Sequence, residues 1–288
     1  MMGTSFKVRG AVAPQRLDKA LREAFPDWGR QAVQRAITGG QVRVNGKEVW
    51  LCSWQVRTGD QIELATTPVA KPAGPAAFDE RWLISADDDL IAINKPAGLL
   101  SEPARNEAAA NALQLVQRRF GPATLVHRLD RDTSGVLLLA RTVAANRLLS
   151  AAFRHHTAVK EYLAVTRPAP GFPPEGIIAL PLAPDAERRD KMMVVRSGGQ
   201  RAVTRYAVIA ITAGRMLLRL WPETGRQHQL RVHLAASGIP ILGDRLYGDP
   251  ASAPRLLLHA ERLCLPWEES ERIFEAEVPE EMQVGGAG

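Results

Sequence analysis

Residues 127–140 read HRLDRDTSGVLLLA, a cluster of charged and polar residues followed at once by an apolar run. The apolar half, residues 135–140, has the length and composition of a buried strand. Polar groups at the start of a buried strand form a loop on a rigid element, where catalytic groups are usually found. The stretch therefore predicts a sheet-based domain with a candidate site at the edge of one strand.

Asp130 is the candidate reactive group of this loop, since it has an arginine on each side. Arg128 and Arg131 flank it, and a cation within ~4–6 Å lowers the pKa of a carboxylate. An ionised, partly desolvated aspartate can act as a nucleophile or as a base. A salt bridge within the loop explains the same residues, and spacing alone favours that explanation.

A second polar cluster, residues 223–233, reads ETGRQHQLRVH. Its two histidines, His228 and His233, are five residues apart, which is not the spacing of a helical metal pair. Packing or orientation roles therefore suit these imidazoles better than metal binding. Arg226 suits either an internal ion pair or a phosphate contact, and its position alone leaves both open.

Residues 159–165 alternate as a strand and place Lys160 and Tyr162 on one face. Such a tyrosine could stack on a base while the lysine meets a phosphate. A tyrosine on a sheet face with its hydroxyl in water is the alternative, and spacing alone favours it.

The 288 residues include 37 Lys+Arg and 31 Asp+Glu, giving a net charge of +6 and a pI near 9.7. An anionic partner is compatible with this charge. Cys52 and Cys264 lie far apart, which excludes a disulfide scaffold and suits a reducing compartment. The first residues form no secretory signal, and no apolar run approaches the ~20 residues of a membrane span. We expect a soluble, cytoplasmic protein without a membrane partner.

The composition divides the chain into two domains and a linker. Residues 65–77 read ATTPVAKPAGPAA and have no periodicity, so they predict a linker. Residues 14–64 predict two helices and then short strands around an Asn45-Gly46 hairpin turn, a small α+β module. Residues 78–288 predict a mixed, mostly antiparallel α+β catalytic domain. Its helices are expected at 108–119 and 144–153, and its strands at 90–94, 135–140, 162–165, 202–211, 216–221 and 256–258.

The sequence lacks the motifs that are typical of several enzyme classes. No GxGxxG follows a strand, and GxxxxGK[ST], HExxH and GxSxG are all missing from the sequence. These patterns mark nucleotide-cofactor oxidoreductases, P-loop enzymes, zinc proteases and α/β-hydrolases.

Five segments, taken in order, resemble the RluA-type pseudouridine synthases. They are NKPAGLL at 94–100, the run at 127–139, KEY at 160–162, TGRQHQLRVHLAASGIPILGDRLYG at 224–248 and LLLHA at 256–260. Residues 14–64 resemble an S4 RNA-binding module. Ser101-Glu102-Pro103 departs from the His-Pro pair that many members have after the NKPxG turn. In the S4-like part, Trp28-Gly29-Arg30 replaces a common Ser-Arg pair.

The resemblance implies roles for individual residues. Asp130 would be the essential aspartate, Tyr162 the tyrosine that stacks near the target base, and Arg226 the arginine paired with Asp130. Leu257 or Leu258 would form part of the apolar wall around the base. Substrate contacts are predicted for His127, Arg128, Thr133, Lys160, Gln229 and Leu258. RNA contacts of the S4-like module are predicted for Arg16, Lys19, Arg30, Arg35 and Lys47.

The resemblance also implies an isomerase that needs no metal and no cofactor, acts on RNA and is a monomer. Large-subunit ribosomal RNA is the favoured target, and a tRNA uridine is the alternative. Two alternative hypotheses are a non-catalytic RNA-binding protein and a synthase of the RsuA branch. A metal-dependent nucleic-acid hydrolase using Asp130 and Asp132 lacks further carboxylates at suitable positions.

Overall fold

The computed structural model describes residues 4–8, 14–38, 40–64, 75, 77–103, 110–188, 190–212 and 214–283, and all their side chains except those of Gln31 and Arg35. The chain forms two compact units, an amino-terminal unit of residues 1–73 and a carboxyl-terminal unit of residues 74–288. Most of the predicted linker, residues 65–74 and 76, lies outside the described residues. The predicted domain boundaries at 64 and 78 therefore stay predictions.

The described part of the amino-terminal unit contains two helices and six short strands. They are β1 Thr4–Lys7, β2 Gln15–Arg16, α1 Leu17–Ala24, α2 Arg30–Thr38, β3 Val42–Val44, β4 Lys47–Glu48, β5 Gln55–Val56 and β6 Gln61–Leu64. A four-stranded sheet has the order β1-β6-β3-β4, and β2 pairs with β5. Leu17, Ala20 and Leu21 of α1 are buried, as their helical spacing predicts.

The predicted hairpin turn between β3 and β4 is present. Asn45 (φ 51°) and Gly46 (φ 78°) both have positive φ, which is the backbone of the turn type that matches the twist of paired strands. Asparagine and glycine are the residues that adopt this conformation most readily. The turn thus follows directly from two residues of the sequence.

The carboxyl-terminal unit is built on one large sheet. Its described elements are β7 Leu83–Ala86, β8 Leu90–Lys95, α3 Ala112–Phe120, β9 Thr124–Leu125, β10 Ser134–Ala140, α4 Val143–Arg154, β11 Val159–Thr166, β12 Glu175–Ile178, β13 Leu182–Pro184, β14 Met192–Val194, β15 Thr204–Thr212, β16 Arg215–Pro222, α5 Gln229–Ala236, β17 Leu258–Trp267 and β18 Ser270–Glu275.

The large sheet has the order β12-β15-β16-β11-β17-β10-β8-β7, with β18 beside β17 and β9 beside β10. Strands β10 and β17 pair in parallel, whereas the neighbours β8, β11 and β16 pair antiparallel. The predicted mixed, mostly antiparallel α+β fold is confirmed. Every residue of β10 is buried, so its continuous apolar run lies in the middle of the sheet, as such runs predict.

Helix α5 and the last predicted strand differ from the sequence expectation. Six consecutive residues of α5, from Gln229 to Leu234, are buried. A helix covered on all sides has no polar face, so the usual 3.6-residue pattern is missing from its sequence. The strand predicted at 256–258 is wrong in its bounds, because β17 begins at Leu258. Among the described residues, no helix has the length and apolar character needed to cross a membrane.

Candidate active site

One cavity of the carboxyl-terminal unit brings together all nine residues predicted to be catalytic or to contact the substrate. Its volume is ≈ 690 Å³. The nine residues are Asp130, Tyr162, Arg226, His127, Arg128, Thr133, Lys160, Gln229 and Leu258. They come from the loop before β10, from β11, from the segment before α5 and its first residue, and from the start of β17. The cavity therefore lies where three adjacent strands of the sheet meet the start of α5.

A buried lysine fixes the backbone of the loop that carries Asp130. Lys95 is fully buried, and its Nζ donates at 2.7–3.0 Å to the carbonyls of Pro96, Leu99 and Arg131. Burial lowers the pKa of Lys95 to about 7, while three carbonyl acceptors match the three protons of an ammonium group. Lys95 thus joins the turn after β8 to the loop before β10.

Ser101, part of the segment that departs from the His-Pro pattern, fixes the same loop. Its buried Oγ donates to the Leu129 carbonyl (2.8 Å) and accepts from the Leu129 N–H (3.1 Å). The next residue, Glu102, forms an ion pair with the exposed Arg128. The Ser101-Glu102 pair therefore holds Leu129 and Arg128, the two residues directly before Asp130.

A buried cation, Arg231, lies beside Asp130. Its Nη1 lies 3.4 Å from Asp130 Oδ2, and its Nε and Nη2 donate to Asp244 at 2.8 and 2.7 Å. Asp244 is fully buried. Burial alone raises the pKa of Asp244, but the hydrogen bonds and charge of Arg231 bring it below its ordinary value. The buried Arg231–Asp244 pair thus presents one fixed positive group to Asp130.

The predicted pairing of Arg226 with Asp130 is therefore wrong. Arg226 precedes α5, its side chain is exposed, and its Nε donates to the Arg201 carbonyl at 3.0 Å. Arg231 lies inside α5, where the helix turns it toward the loop before β10. Arg226 still lines the cavity, so its predicted catalytic role stays a prediction without the ion pair on which it was based.

Gln229 shapes the turn that carries Arg226. Its Oε1 accepts from Thr224 Oγ1 (2.7 Å) and from the Arg226 N–H (3.1 Å). Its Nε2 donates to the Val203 carbonyl and to Thr204 Oγ1. Because both ends of the buried amide are bonded within the protein, Gln229 orders the wall of the cavity.

Aromatic and apolar side chains form the rest of the wall. Burial raises the pKa of Tyr162, and the nearby Asp130 carboxylate adds to the effect, so the phenol is neutral. Burial lowers the pKa of Lys160. His127 Nε2 accepts from the Leu138 N–H at 3.0 Å, its ring stacks on Phe153, and burial lowers its pKa to about 3.

Of the residues predicted to contact RNA in the amino-terminal unit, Arg16, Lys19, Arg30 and Lys47 are exposed. Arg16 pairs with Asp18 at 3.0 Å, and Lys19 Nζ lies 3.9 Å from Glu23. The side chain of Arg35 lies outside the described residues. Within the described residues, no three His, Cys, Asp or Glu side chains converge as a metal ion would need.

The family model for RNA pseudouridylate synthases matches residues 89–236, about half of the chain. The chain belongs to this family. The S4 domain model matches residues 15–62. This RNA pseudouridine synthase is thus an isomerase that carries an S4 domain in its amino-terminal unit, and the predicted reaction class is confirmed.

Curated relatives and solved structures agree with the family. The synthase is 45% identical over 195 residues to the dual-specificity RNA pseudouridine synthase RluA of Escherichia coli strain K12, covering 65% of this chain and 88% of that one. It is 34% identical over 279 residues to the ribosomal large subunit pseudouridine synthase C of Rickettsia conorii, covering 90% of each. Human RNA pseudouridylate synthase domain containing 4 superimposes with a TM-score of 0.58 at 30% identity, covering 70% of this chain and 90% of that one.

Several residues that line or support the synthase's cavity were missed by sequence reasoning as site residues. Lys95, Ser101, Arg231, Asp244 and Tyr247 each make the buried contacts that hold the Asp130 loop or its neighbours. All five stand in the segments that resemble the family or directly beside them, but their spacing gives no sign of which side chain points into the cavity.

Proposed function

We propose that this synthase isomerises uridines of large-subunit ribosomal RNA, with Asp130 as its essential carboxylate. The observation that supports this target is the length of the match to the Rickettsia conorii large-subunit synthase. That match covers 90% of this chain, so it must include part of the S4 unit. The proposal includes a cytoplasmic enzyme, since its two cysteines are free thiols, as in reducing compartments.

The reaction needs no donor and no oxidant. The C1′–N1 bond of uridine breaks, the uracil turns, and a C1′–C5 bond forms; C5 loses a proton and N1 gains one. Asp130 serves either of two routes from the same carboxylate, adding to C1′ or removing the proton at C2′. Both routes need an ionised carboxylate, and the guanidinium of Arg231, 3.4 Å from Oδ2, places a positive charge beside it.

The cavity suits a uridine that has left its stack. Extruding a nucleotide from paired RNA costs a few kcal/mol. Tyr162 and Leu258 offer flat or apolar surfaces for the uracil, while the exposed Arg128 and Arg226 at the cavity can meet the phosphates on either side. Stacking and phosphate contacts together offset the extrusion energy.

A transfer-RNA uridine is the second candidate target, because the Escherichia coli relative is named a dual-specificity RNA enzyme. Pseudouridines mapped by chemical-adduct sequencing in cells with and without this protein separate the two. Loss of one or more large-subunit sites supports the proposal. Loss confined to tRNA sites favours the second candidate.

The role of Asp130 is tested with Asp130→Asn. The amide keeps the size of the side chain and removes its charge, so single-turnover tritium release from C5-labelled uridine should fall by at least ~10²–10⁴-fold. RNA affinity in filter binding should be retained or rise slightly, because one negative charge near a polyanion is gone. Substantial release by a variant that binds RNA normally would refute the assignment.

A deuterium at C2′ of the target uridine then separates the two routes. Proton removal from C2′ predicts slower release from the deuterated RNA. Addition to C1′ breaks no bond to that hydrogen and predicts nearly equal rates.

A further inference from the structure

His228 stands in a left-handed backbone conformation, which few non-glycine residues adopt. Its φ is 54° and its ψ is 17°, in the left-handed region, directly before α5. Non-glycine residues in this region are infrequent, and such strain concentrates at functional sites. The conformation turns the imidazole into the cavity, where the side chain is 11% exposed.

One ring nitrogen of His228 is bound to a tyrosine. His228 Nδ1 lies 2.8 Å from Tyr247 Oη, and the same oxygen accepts from the Met192 N–H at 2.8 Å. Because the Met192 N–H already donates to Oη, we infer that the hydroxyl donates its own proton to Nδ1. Nδ1 then accepts, and the proton of the neutral imidazole resides on Nε2.

The other ring nitrogen faces the reactive carboxylate. His228 Nε2 lies 3.8 Å from Asp130 Oδ2, the oxygen that Arg231 Nη1 approaches at 3.4 Å. A negative charge at this distance also favours the proton on Nε2. The contacts at both ends of the ring therefore select the same tautomer.

We propose that His228 is a positioning residue for Asp130: Tyr247 holds it in the Nε2–H tautomer, and Nε2–H and Arg231 together hold Oδ2. This leaves Oδ1 as the oxygen that reaches the ribose. The inference rests on the proposed function, because it takes Asp130 as the group that reacts.

A neutral imidazole suits this task better than a second cation. Arg231 already supplies a full positive charge, and another beside the same carboxylate would make it a weaker base and nucleophile. Burial lowers the pKa of His228, although the negative charge of Asp130 acts to raise it. The ring can thus orient the carboxylate through the dipole of its Nε2–H, 3.8 Å away, while leaving the carboxylate's charge available for the reaction.

The test uses the full chain with His228→Asn and Tyr247→Phe. Asparagine tolerates the left-handed backbone but is too short to reach Asp130. Its single-turnover rate should fall by about 10–100-fold, as expected when a reacting group is misplaced by about 1 Å. Tyr247→Phe should reduce the rate by about fivefold, the effect of one neutral hydrogen bond. RNA affinity should change by less than about twofold in both, because neither residue is assigned a contact with RNA.

Tyr206→Phe is the matched control, since Tyr206 is buried in the core of the same unit and lies outside the cavity. It should retain the wild-type rate. His228→Gln is the rescue variant, because its amide N–H can occupy the place of Nε2–H. It should regain most of the rate that His228→Asn loses, which a purely structural role would not predict.

The double variant His228→Asn/Tyr247→Phe decides whether Tyr247 acts through His228. Its rate should equal that of His228→Asn alone, because the hydroxyl has no ring left to orient. Multiplied losses would refute the proposal. Long-range ¹H–¹⁵N spectra of histidine-labelled protein, assigned with His228→Asn, should show the Nε2–H tautomer at His228, and an Nδ1–H tautomer would also refute it.

The outcome remains separable from that of the proposed function. An inactive Asp130→Asn variant together with a fully active His228→Asn variant would reject only the positioning role. An active Asp130→Asn variant would instead reject the catalytic assignment on which the role depends.

Discussion

The two units of the synthase differ in where they keep their polar side chains. In the described residues, the buried polar and charged side chains all belong to the carboxyl-terminal unit, between Lys95 and His259. The described core of the amino-terminal unit is apolar, and four of its predicted RNA-contacting cations, Arg16, Lys19, Arg30 and Lys47, are at the surface. Under the proposed function both units meet the same polyanion, yet they place their charges in opposite environments.

This difference shows what each kind of placement achieves. A buried charge must be paired and hydrogen-bonded, so it is held in one position and can direct a reaction. A surface charge is mobile and screened, and it contributes attraction that falls as salt rises. Single substitutions should therefore change stability and turnover in one unit, and affinity and salt dependence in the other.

Arg231 and Arg226, five residues apart, give the strongest contrast. Arg231→Leu leaves the buried Asp244 without its partner, and breaking a buried pair costs about 3–5 kcal/mol of unfolding free energy. Turnover should fall with it, since Asp130 loses its cation. Arg226→Ala should change stability by less than about 0.5 kcal/mol. Denaturant unfolding measures the stability of each variant, and single-turnover tritium release measures its turnover. Equal losses of stability in the two variants would contradict the difference between buried and exposed charges.

Acid should weaken the carboxyl-terminal unit specifically, because all six histidines lie there. Burial lowers the pKa of His259 from 6.5 to about 4 and that of His127 to about 3. Below pH 6.5 these histidines bind more protons in the unfolded chain than in the folded one. The unfolding free energy that they contribute is therefore fully present above pH 6.5 and is lost as the pH falls toward 4. Each of the two histidines contributes a slope of up to ~1.4 kcal/mol per pH unit.

Two variants measure this acid effect. His259→Asn removes one titrating group and should flatten the dependence of unfolding free energy on pH by up to ~1.4 kcal/mol per unit. His155→Asn replaces an exposed histidine and should leave the dependence unchanged. A slope in His259→Asn equal to that of the wild type would show that another group causes the acid effect.

Ser101 tests whether the loop before β10 depends on its buried hydroxyl. Ser101→Ala leaves the buried N–H and carbonyl of Leu129 without this partner and should cost about 1–3 kcal/mol. Turnover should also fall, because Asp130 follows Leu129 directly. Ser197→Ala, at an exposed position of the same unit, is the control and should stay within about 0.5 kcal/mol of the wild type. Equal unfolding free energies for the two variants would show that the Ser101 hydroxyl does not hold the loop before β10.

Arg30 should give the smallest effect. Arg30→Gln removes one exposed cation from the start of α2, so the slope of log affinity against log salt should become shallower by about 1. Turnover of bound RNA and unfolding free energy should stay unchanged. Glu23→Gln, an acidic surface residue of α1, is the control and should not make the slope shallower. A fall in single-turnover rate for Arg30→Gln would contradict the expectation that surface cations of the amino-terminal unit change affinity and not turnover.

The sequence indicated the elements whose pattern is local. The apolar run of β10, the helix face of α1 and the Asn45-Gly46 turn each depend on a few neighbouring residues, and the run and the turn were each placed within one position. Helix α5 was missed because it is buried on every side, which removes the polar face by which a helix is recognised.

The site could be predicted only in part for a related reason. Motifs indicated which segments approach each other, and all nine predicted residues line one cavity. They did not indicate direction: Arg226 and Arg231 occupy the same motif, and only the turn of α5 makes Arg231 the partner of Asp130. Asp244 and Tyr247 become neighbours of the cavity through folding, thirteen and nineteen residues from Arg231 and His228, distances that no local pattern encodes.

The parallel pair of β10 and β17 has a consequence for how the enzyme is made. Gly135 has a φ of 114° and lies against Ala260, where an added Cβ would fall 2.2 Å from the backbone oxygen. The ribosome completes residues 134–140 more than a hundred residues before Leu258, an interval on the order of ten seconds at about 5–20 residues per second. The S4 unit has by then been synthesised in full. A nascent chain can therefore gain an RNA-binding unit well before the Asp130 loop has its neighbouring strand.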